Sequence, residues 1–143
     1  MREIEFRAKR IDNNEWVYGS LIPLIQGDFI VSTDSYNEVE INLHEKLNCN
    51  ALWEENDFVK VSSETIGQYT GLKDKNGKKI FEGDILEYEF EDIGKQKAYV
   101  DWNGKYASFT LEVISEDFEY APIESGVIIG NIYDNPELIG EEV

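Results

Sequence analysis

The chain is expected to be mainly β, and three observations carry that expectation. Eight Tyr, seven Phe and three Trp stand against three Pro, a balance that suits pleated, half-buried surfaces. Segments such as Ile85 to Phe90 alternate apolar and acidic residues, the period of two expected of a strand with one wet face. Asn-Gly pairs at 76–77 and 103–104 interrupt alternating segments, where two-residue hairpins need positive φ angles. With 143 residues, 41% of them hydrophobic, the chain can bury the core of one ordinary domain, or of two small ones sharing a core.

A small N-terminal β-rich region is expected over 1–62, with "SSE" at Ser62 to Glu64 as its seam to a second region over 63–143. Both halves are acidic, so charge does not separate them. "IEFRAKR" reads as a short strand from Ile4, closed by a turn at "DNNE". "WVYGSLIPL" follows as a strand with Trp16, Tyr18 and Ser20 on one face; Pro23 suits its end or an edge. "GDFIVST" is a strand entered through Gly27 and Asp28. Asp34 to Asn50 is the least readable part. Leu43 and Leu47 lie four apart and could belong to a short helix, which Asn48 and Asn50 weaken. "DFVKV" alternates and reads as a strand ending at Val61.

The second half is plainer. Asn76-Gly77 as a type I′ turn places Lys75 opposite Lys78, Asp74 opposite Lys79 and Leu72 opposite Phe81, with Asp74 and Lys79 as a cross-strand pair. "EGD" at Glu82 to Asp84 is a sharp corner, where Gly83 takes a conformation other residues resist. Ile85 to Phe90 turns Leu86, Tyr88 and Phe90 to one face, Glu87 and Glu89 to the other. In "KAYVDWNGKYASFTLEV" a two-residue turn at Asn103-Gly104 sets Trp102 opposite Lys105, Val100 opposite Ala107 and Ala98 opposite Phe109. The other face then carries Tyr99 and Asp101 with Tyr106 and Ser108. "SEDFEYAPIESG" is a loop or a single helical turn. "VIIGNI" is a continuous apolar run, hence a buried strand. The tail turns at Asn135-Pro136, with Leu138 and Ile139 docking back. Short strands with tight corners of this kind build small barrels.

Several chemistries fail on spacing. "ETIGQYTGLKDKNGKKIFEGDIL", Glu64 to Leu86, has the glycines and lysines of a phosphate loop, yet Gly77-Lys78 is followed by Lys79 and not by Ser or Thr. A calcium loop with Gly77 sixth would begin on Leu72, which carries no carboxylate. Glu82 and Asp84 form a carboxylate pair suited to metal or acid–base work, but at a turn where Asp and Gly are expected anyway. One Cys (Cys49) and one His (His44) exclude an intrachain disulfide and make a structural zinc site unexpected. The lack of a disulfide framework fits a reducing cytosol, and Cys49 reads as a buried or incidental thiol and not as a nucleophile. No apolar run reaches membrane-spanning length and "MREIEFRAKR" leads into no apolar core of a secretory signal. The net charge of −17 speaks against direct nucleic-acid binding, which needs Lys and Arg to displace counterions. No cofactor is expected.

The block "ETIGQYTGLKDKNGKKIFEGDIL", together with "REIEFRAKR…WVYG" near the start and "GNIYDNPELI" near the end, resembles the YopX family of phage and prophage proteins. The motifs reach nearly across the chain, although Leu24 to Asp57 matches none of them. The resemblance implies a mainly β protein whose C-terminal half, from about Glu64, is an SH3-type barrel. It implies no activity and brings no assigned site residues.

Three functions follow as expectations. The first is a non-catalytic module that binds a host or phage protein in the cytoplasm of the host cell. Its candidate residues are the lysine tip, Lys75, Lys78 and Lys79, and the tyrosines Tyr99 and Tyr106, expected to be exposed. The second is an acidic mimic of nucleic acid that occupies a DNA-handling host protein, motivated by the net charge. The third is a metal-dependent hydrolase using Glu82 and Asp84 with Asp101. Self-association is open, since so many aromatic residues can fill a core or cover an interface.

Overall fold

The computed structural model describes residues 3–24, 27–31, 58–115, 118 and 120–140. They fall into two compact units that divide between Gln68 and Tyr69. Among the described residues the regular structure is β-strand with short 3-10 turns, so the chain is mainly β. The short helix considered around Leu43 and Leu47, with His44 and Cys49, lies outside the described residues.

In the first unit, β1 (Phe6–Lys9), β2 (Trp16–Leu24), β3 (Gly27–Val31), β4 (Phe58–Val61) and the start of β5 (Gly67–Lys73) pair antiparallel in the order β4-β3-β2-β1-β5. "DNNE" is the turn between β1 and β2: Asn14 takes the left-handed conformation at φ 64°, and the Asn13 side chain accepts the Glu15 N–H at 3.0 Å. Pro23 sits on the part of β2 that pairs with β3 alone, so its missing N–H breaks no ladder on the β1 side. Alternation brings Ala8, Ile30 and Val61 together as a buried core, flanked by Phe6, Val17, Leu21, Val59 and Ile66. "SSE" becomes a 3-10 turn, Ser63–Thr65. There the Thr65 hydroxyl donates to the Ser62 carbonyl and accepts the Lys9 N–H.

In the second unit β5 runs on into a hairpin with β6 (Lys79–Phe81). β7 (Asp84–Phe90), β8 (Gly94–Asn103), β9 (Ser108–Val113) and β10 (Val127–Asn131) form an antiparallel sheet in the order β10-β7-β8-β9. Ile80, Leu86, Tyr88 and Val100 are buried together, and Leu72, Phe90, Phe109, Leu111, Phe118 and Ile123 pack against them. This sheet is open, not the closed barrel expected. Among the described residues no ladder joins β9 to β10, so each remains an outer strand. The strand that would have to close it, β10, pairs with β7 on the far side of the sheet instead of with β9.

Both hairpins differ from the registers expected of them. At the first, Gly77 is left-handed at φ 83° and Asn76 is not, which excludes a type I′ turn. The Gly77 N–H donates to the Asp74 carbonyl and the Asp74 N–H to the Lys78 carbonyl. The loop is therefore the three residues Lys75, Asn76 and Gly77, a type I turn completed by a left-handed glycine. Lys73, not Asp74, stands opposite Lys79, and Tyr69 opposite Phe81.

At the second hairpin the loop is four residues, Gly104 to Ala107. Asn103 uses its side-chain oxygen to accept the Lys105 and Tyr106 N–H groups, and Ala107 takes φ 51°. Trp102 consequently faces Phe109, their rings 5.1 Å apart and edge to face, and Val100 faces Leu111. The slip along β9 is four residues. An even slip preserves which face each residue occupies, so Phe109 keeps the face foreseen for it.

The "EGD" corner is as expected. Gly83 adopts φ 94°, its N–H donates to the Val100 carbonyl, and its carbonyl accepts the Ile132 N–H. β10 departs from the buried strand expected of "VIIGNI". It is an outer strand with a bulge between Ile128 and Gly130 that leaves Ile129 exposed. The tail closes through a 3-10 turn, Pro136–Ile139.

Candidate protein-binding cleft

A cleft of about 570 Å³ lies in the second unit, within the size range of ligand sites. One wall is the outer strand itself: Phe109, Thr110, Leu111 and Val113 of β9. The other is the segment Tyr120 to Glu124, with Phe118 and Leu72 contributing. Alternation on β9 places Phe109 and Leu111 where they meet both the core and the cleft. Phe118 is held edge to face against Tyr88 at 5.2 Å and Phe90 at 5.4 Å. Tyr88 in turn donates its hydroxyl to the Ile123 carbonyl at 3.0 Å. Burial, then the nearby Glu124 carboxylate, pushes the Tyr88 phenol upward, so it stays a neutral donor. The far wall is thus fixed to the core through an aromatic cluster. At the mouth, Tyr120 is 90% exposed and Val113 52%. Among the described residues Glu124 is the one charged side chain lining the cleft, and the buried Thr110 hydroxyl oxygen has no hydrogen-bond partner.

Behind the first hairpin sits a second buried polar centre. Asp74 is 6% exposed. Its Oδ1 accepts the Asn76 and Lys78 N–H groups, both at 2.9 Å, and its Oδ2 accepts the Ile128 N–H at 3.0 Å. Lys75 adds a backbone bond from the tip to the Gly126 carbonyl. One carboxylate therefore ties the hairpin to β10, instead of pairing with Lys79 across strands as expected. Burial raises its pKa; the three N–H groups and the Lys78 charge outweigh that and hold the carboxyl below the usual carboxylate value.

The residues singled out from sequence do not converge on one site. Lys75 and Lys78 are exposed at the hairpin tip. Lys79 is half-buried, its ammonium 5.2 Å from the Tyr69 ring centre, a packed cation–π position and not part of a free tip. Tyr99 is half-buried on β8 opposite Ile85 and Glu112, not exposed as expected; burial, then Glu112 and Asp101, raises its phenol pKa. Tyr106 is 67% exposed, but it belongs to the four-residue loop and not to the strand face, with Lys105 over its ring.

Of the carboxylates, Asp84 is buried and accepts the Phe81 N–H at 2.7 Å, closing its own corner. Asp101 accepts the Trp102 N–H. Among the described residues no three His, Cys, Asp or Glu side chains gather as a metal site would require. The cleft itself was missed in the sequence. Its two walls, β9 and Tyr120–Glu124, show only as apolar alternation and an apolar stretch around Pro122, and nothing local says that they meet.

A family model described as YopX protein matches residues 5–140. The chain belongs to the YopX family. The match takes in both units of this YopX chain and the whole of the cleft. A solved structure similar to it is that of protein EF1440 from Enterococcus faecalis, with a TM-score of 0.53 and 22% identity over 98% of this chain and 100% of that one. At that identity the likeness bears on the fold alone. No curated protein matches the chain. Among the described residues no helix is long and apolar enough to cross a membrane.

Proposed function

We propose that this YopX-family chain is a phage- or prophage-encoded accessory protein. In this reading it is a non-catalytic module acting in the host cytoplasm, and it binds a protein partner through the cleft beside β9. The observation that carries the reading is the cleft's construction: apolar walls fixed by the Tyr88–Phe118 cluster, with exposed Tyr120 and Val113 at its mouth. Aromatic anchors on a rigid frame are what protein recognition uses. The short strands and tight corners of the second unit support an SH3-type likeness, and such domains bind through loops and an exposed face. That is fold-level analogy, since fold alone does not fix function. The lysine tip is a second, weaker candidate surface, reduced to Lys75 and Lys78.

The nucleic-acid mimic draws no support from the face carrying Glu87 and Glu89. They stand opposite Lys97 and Lys95 on β8, so acids there alternate with bases instead of forming a row.

Affinity purification from host lysate separates the two surfaces. Val113→Glu, at a half-exposed position, is expected to release a partner that wild type retains, with an unchanged circular dichroism spectrum. Lys75→Glu with Lys78→Glu is expected to retain it. Loss in the lysine variant alone would move the site to the hairpin tip.

A further inference from the structure

We infer that β9 is an acceptor edge on which an extended, basic peptide segment of the partner adds as a further strand. This rests on the cleft being the binding surface, and goes further by naming the occupant and its mode of binding.

The backbone decides which groups are free. Ile114 stands next along the register that pairs Val113 with Ala98, and its N–H donates to the Lys97 carbonyl at 3.0 Å. On β8, Val100 gives its carbonyl to Gly83, away from β9. Alternation then fixes the rest. Ser108, Thr110 and Glu112 direct N–H and C=O inward to β8, while Phe109, Leu111 and Val113 direct theirs outward. Those three residues all line the cleft. A row of outward main-chain donors and acceptors beside an apolar trough is the arrangement that strand addition uses: the ladder supplies affinity, and alternate side chains fill the trough. Folded proteins otherwise blunt such an edge with charge, and the only charge on β9 is Glu112.

Charge selects the occupant. Glu124 lines the cleft, Glu112 lies on the strand, no Lys, Arg or His lines the cleft among the described residues, and the chain carries −17 overall. A segment with Lys or Arg at the positions pointing away from the trough is drawn in and oriented by that field. A second copy of the chain would bring another −17 to the same edge and is disfavoured.

The test is a titration of the full ¹⁵N-labelled chain with a terminally blocked octapeptide alternating valine and lysine. Three companions accompany it: one with glutamate in place of lysine, one with every backbone amide N-methylated, and the lysine peptide against Val113→Pro. Proline on an outer strand removes an outward N–H without touching the β8 ladder. The expected result is saturable shifts centred on Phe109, Leu111 and Val113, and amide protection at those residues. Binding should be at least tenfold weaker for the glutamate and N-methylated peptides and for Val113→Pro.

Equal binding of lysine and glutamate peptides overturns the charge assignment. Undiminished binding of the N-methylated peptide overturns strand addition while leaving the cleft as a protein-binding surface. Shifts confined to Lys75 and Lys78 overturn both. No binding, with sedimentation showing a dimer whose β9 amides are already protected, assigns the edge to a second copy and overturns the inference.

Discussion

Asp74→Ala is expected to lower the stability of the second unit by about 3–5 kcal/mol, since each buried donor left without a partner costs roughly 1–3 kcal/mol. Three backbone N–H groups, from Asn76, Lys78 and Ile128, lose their acceptor at once. The site is 6% exposed, so water restores them only in part. The loss also reaches beyond the hairpin, because Ile128 belongs to β10 and Asp74 to the loop after β5. Asp74→Asn keeps one acceptor oxygen and is expected to cost about half as much.

The pH dependence has a definite sign. The folded carboxyl sits below its ordinary value, so its contribution is present above the unfolded value, about 3.9. It is lost as pH falls through the lower, folded value. Wild type should therefore shed stability on acidification through that window, and Asp74→Asn should shed less. Urea midpoints at neutral and acid pH measure both effects, and an unchanged slope assigns them to the folded state. A neutral-pH loss below about 1 kcal/mol would show that the three N–H groups find other acceptors.

Gly126→Ala is expected to cost about 3 kcal/mol, the upper end of what overpacking a filled site brings. Gly126 has φ −95° and ψ 178°, extended backbone open to any residue. Its reason for being glycine is space. A Cβ there would lie 2.7 Å from Cζ of Tyr88 and 2.8 Å from Cε2. The ring cannot swing aside cheaply: it is 4% exposed, tied by its hydroxyl to the Ile123 carbonyl and packed edge to face with Phe118.

Tyr88→Leu removes the obstructing ring. The double variant Gly126→Ala/Tyr88→Leu is expected to be less destabilised than the two single losses combined, by about 0.5–3 kcal/mol of coupling. Strict additivity in denaturant melts would mean that the two residues do not meet. Because Tyr88 and Phe118 hold the far wall of the cleft, Gly126→Ala should also weaken binding there.

The strands were legible in the sequence because period-two alternation is local. Phe58–Val61, Ile85–Phe90 and the β8–β9 pair stand where apolar and polar residues alternate. Gly83 was legible too, since a positive φ at a corner is a demand on one residue.

Turn length was not. Asn76 and Asn103 each belong to an Asn-Gly pair that fits a two-residue turn, but side chains compete for the same backbone. Asp74 draws in two N–H groups at the first loop, and Asn103 takes two at the second. Both loops lengthen in consequence. Closure was not legible either, because it depends on where β10 pairs, which hydrophobic pattern does not specify. The cleft belongs with these long-range features. Leu72, Phe109 and Ile123 meet only once the sheet order is set, and none of Lys75, Lys78, Lys79, Tyr99 and Tyr106 is among the residues lining it. Tyr99 looked exposed because its face was read as the one carrying Asp101, Tyr106 and Ser108, but Ile85 opposite it is fully buried.

The claim that β9 offers a free, binding-competent edge can be tested without any partner, by residue-resolved amide exchange of the free chain. Thr110, Glu112 and Ile114 should be protected, and Phe109, Leu111 and Val113 should exchange at least a hundredfold faster, alternating along a single strand. Uniform slow exchange from Phe109 to Ile114 would contradict the account, because the edge would then already be covered.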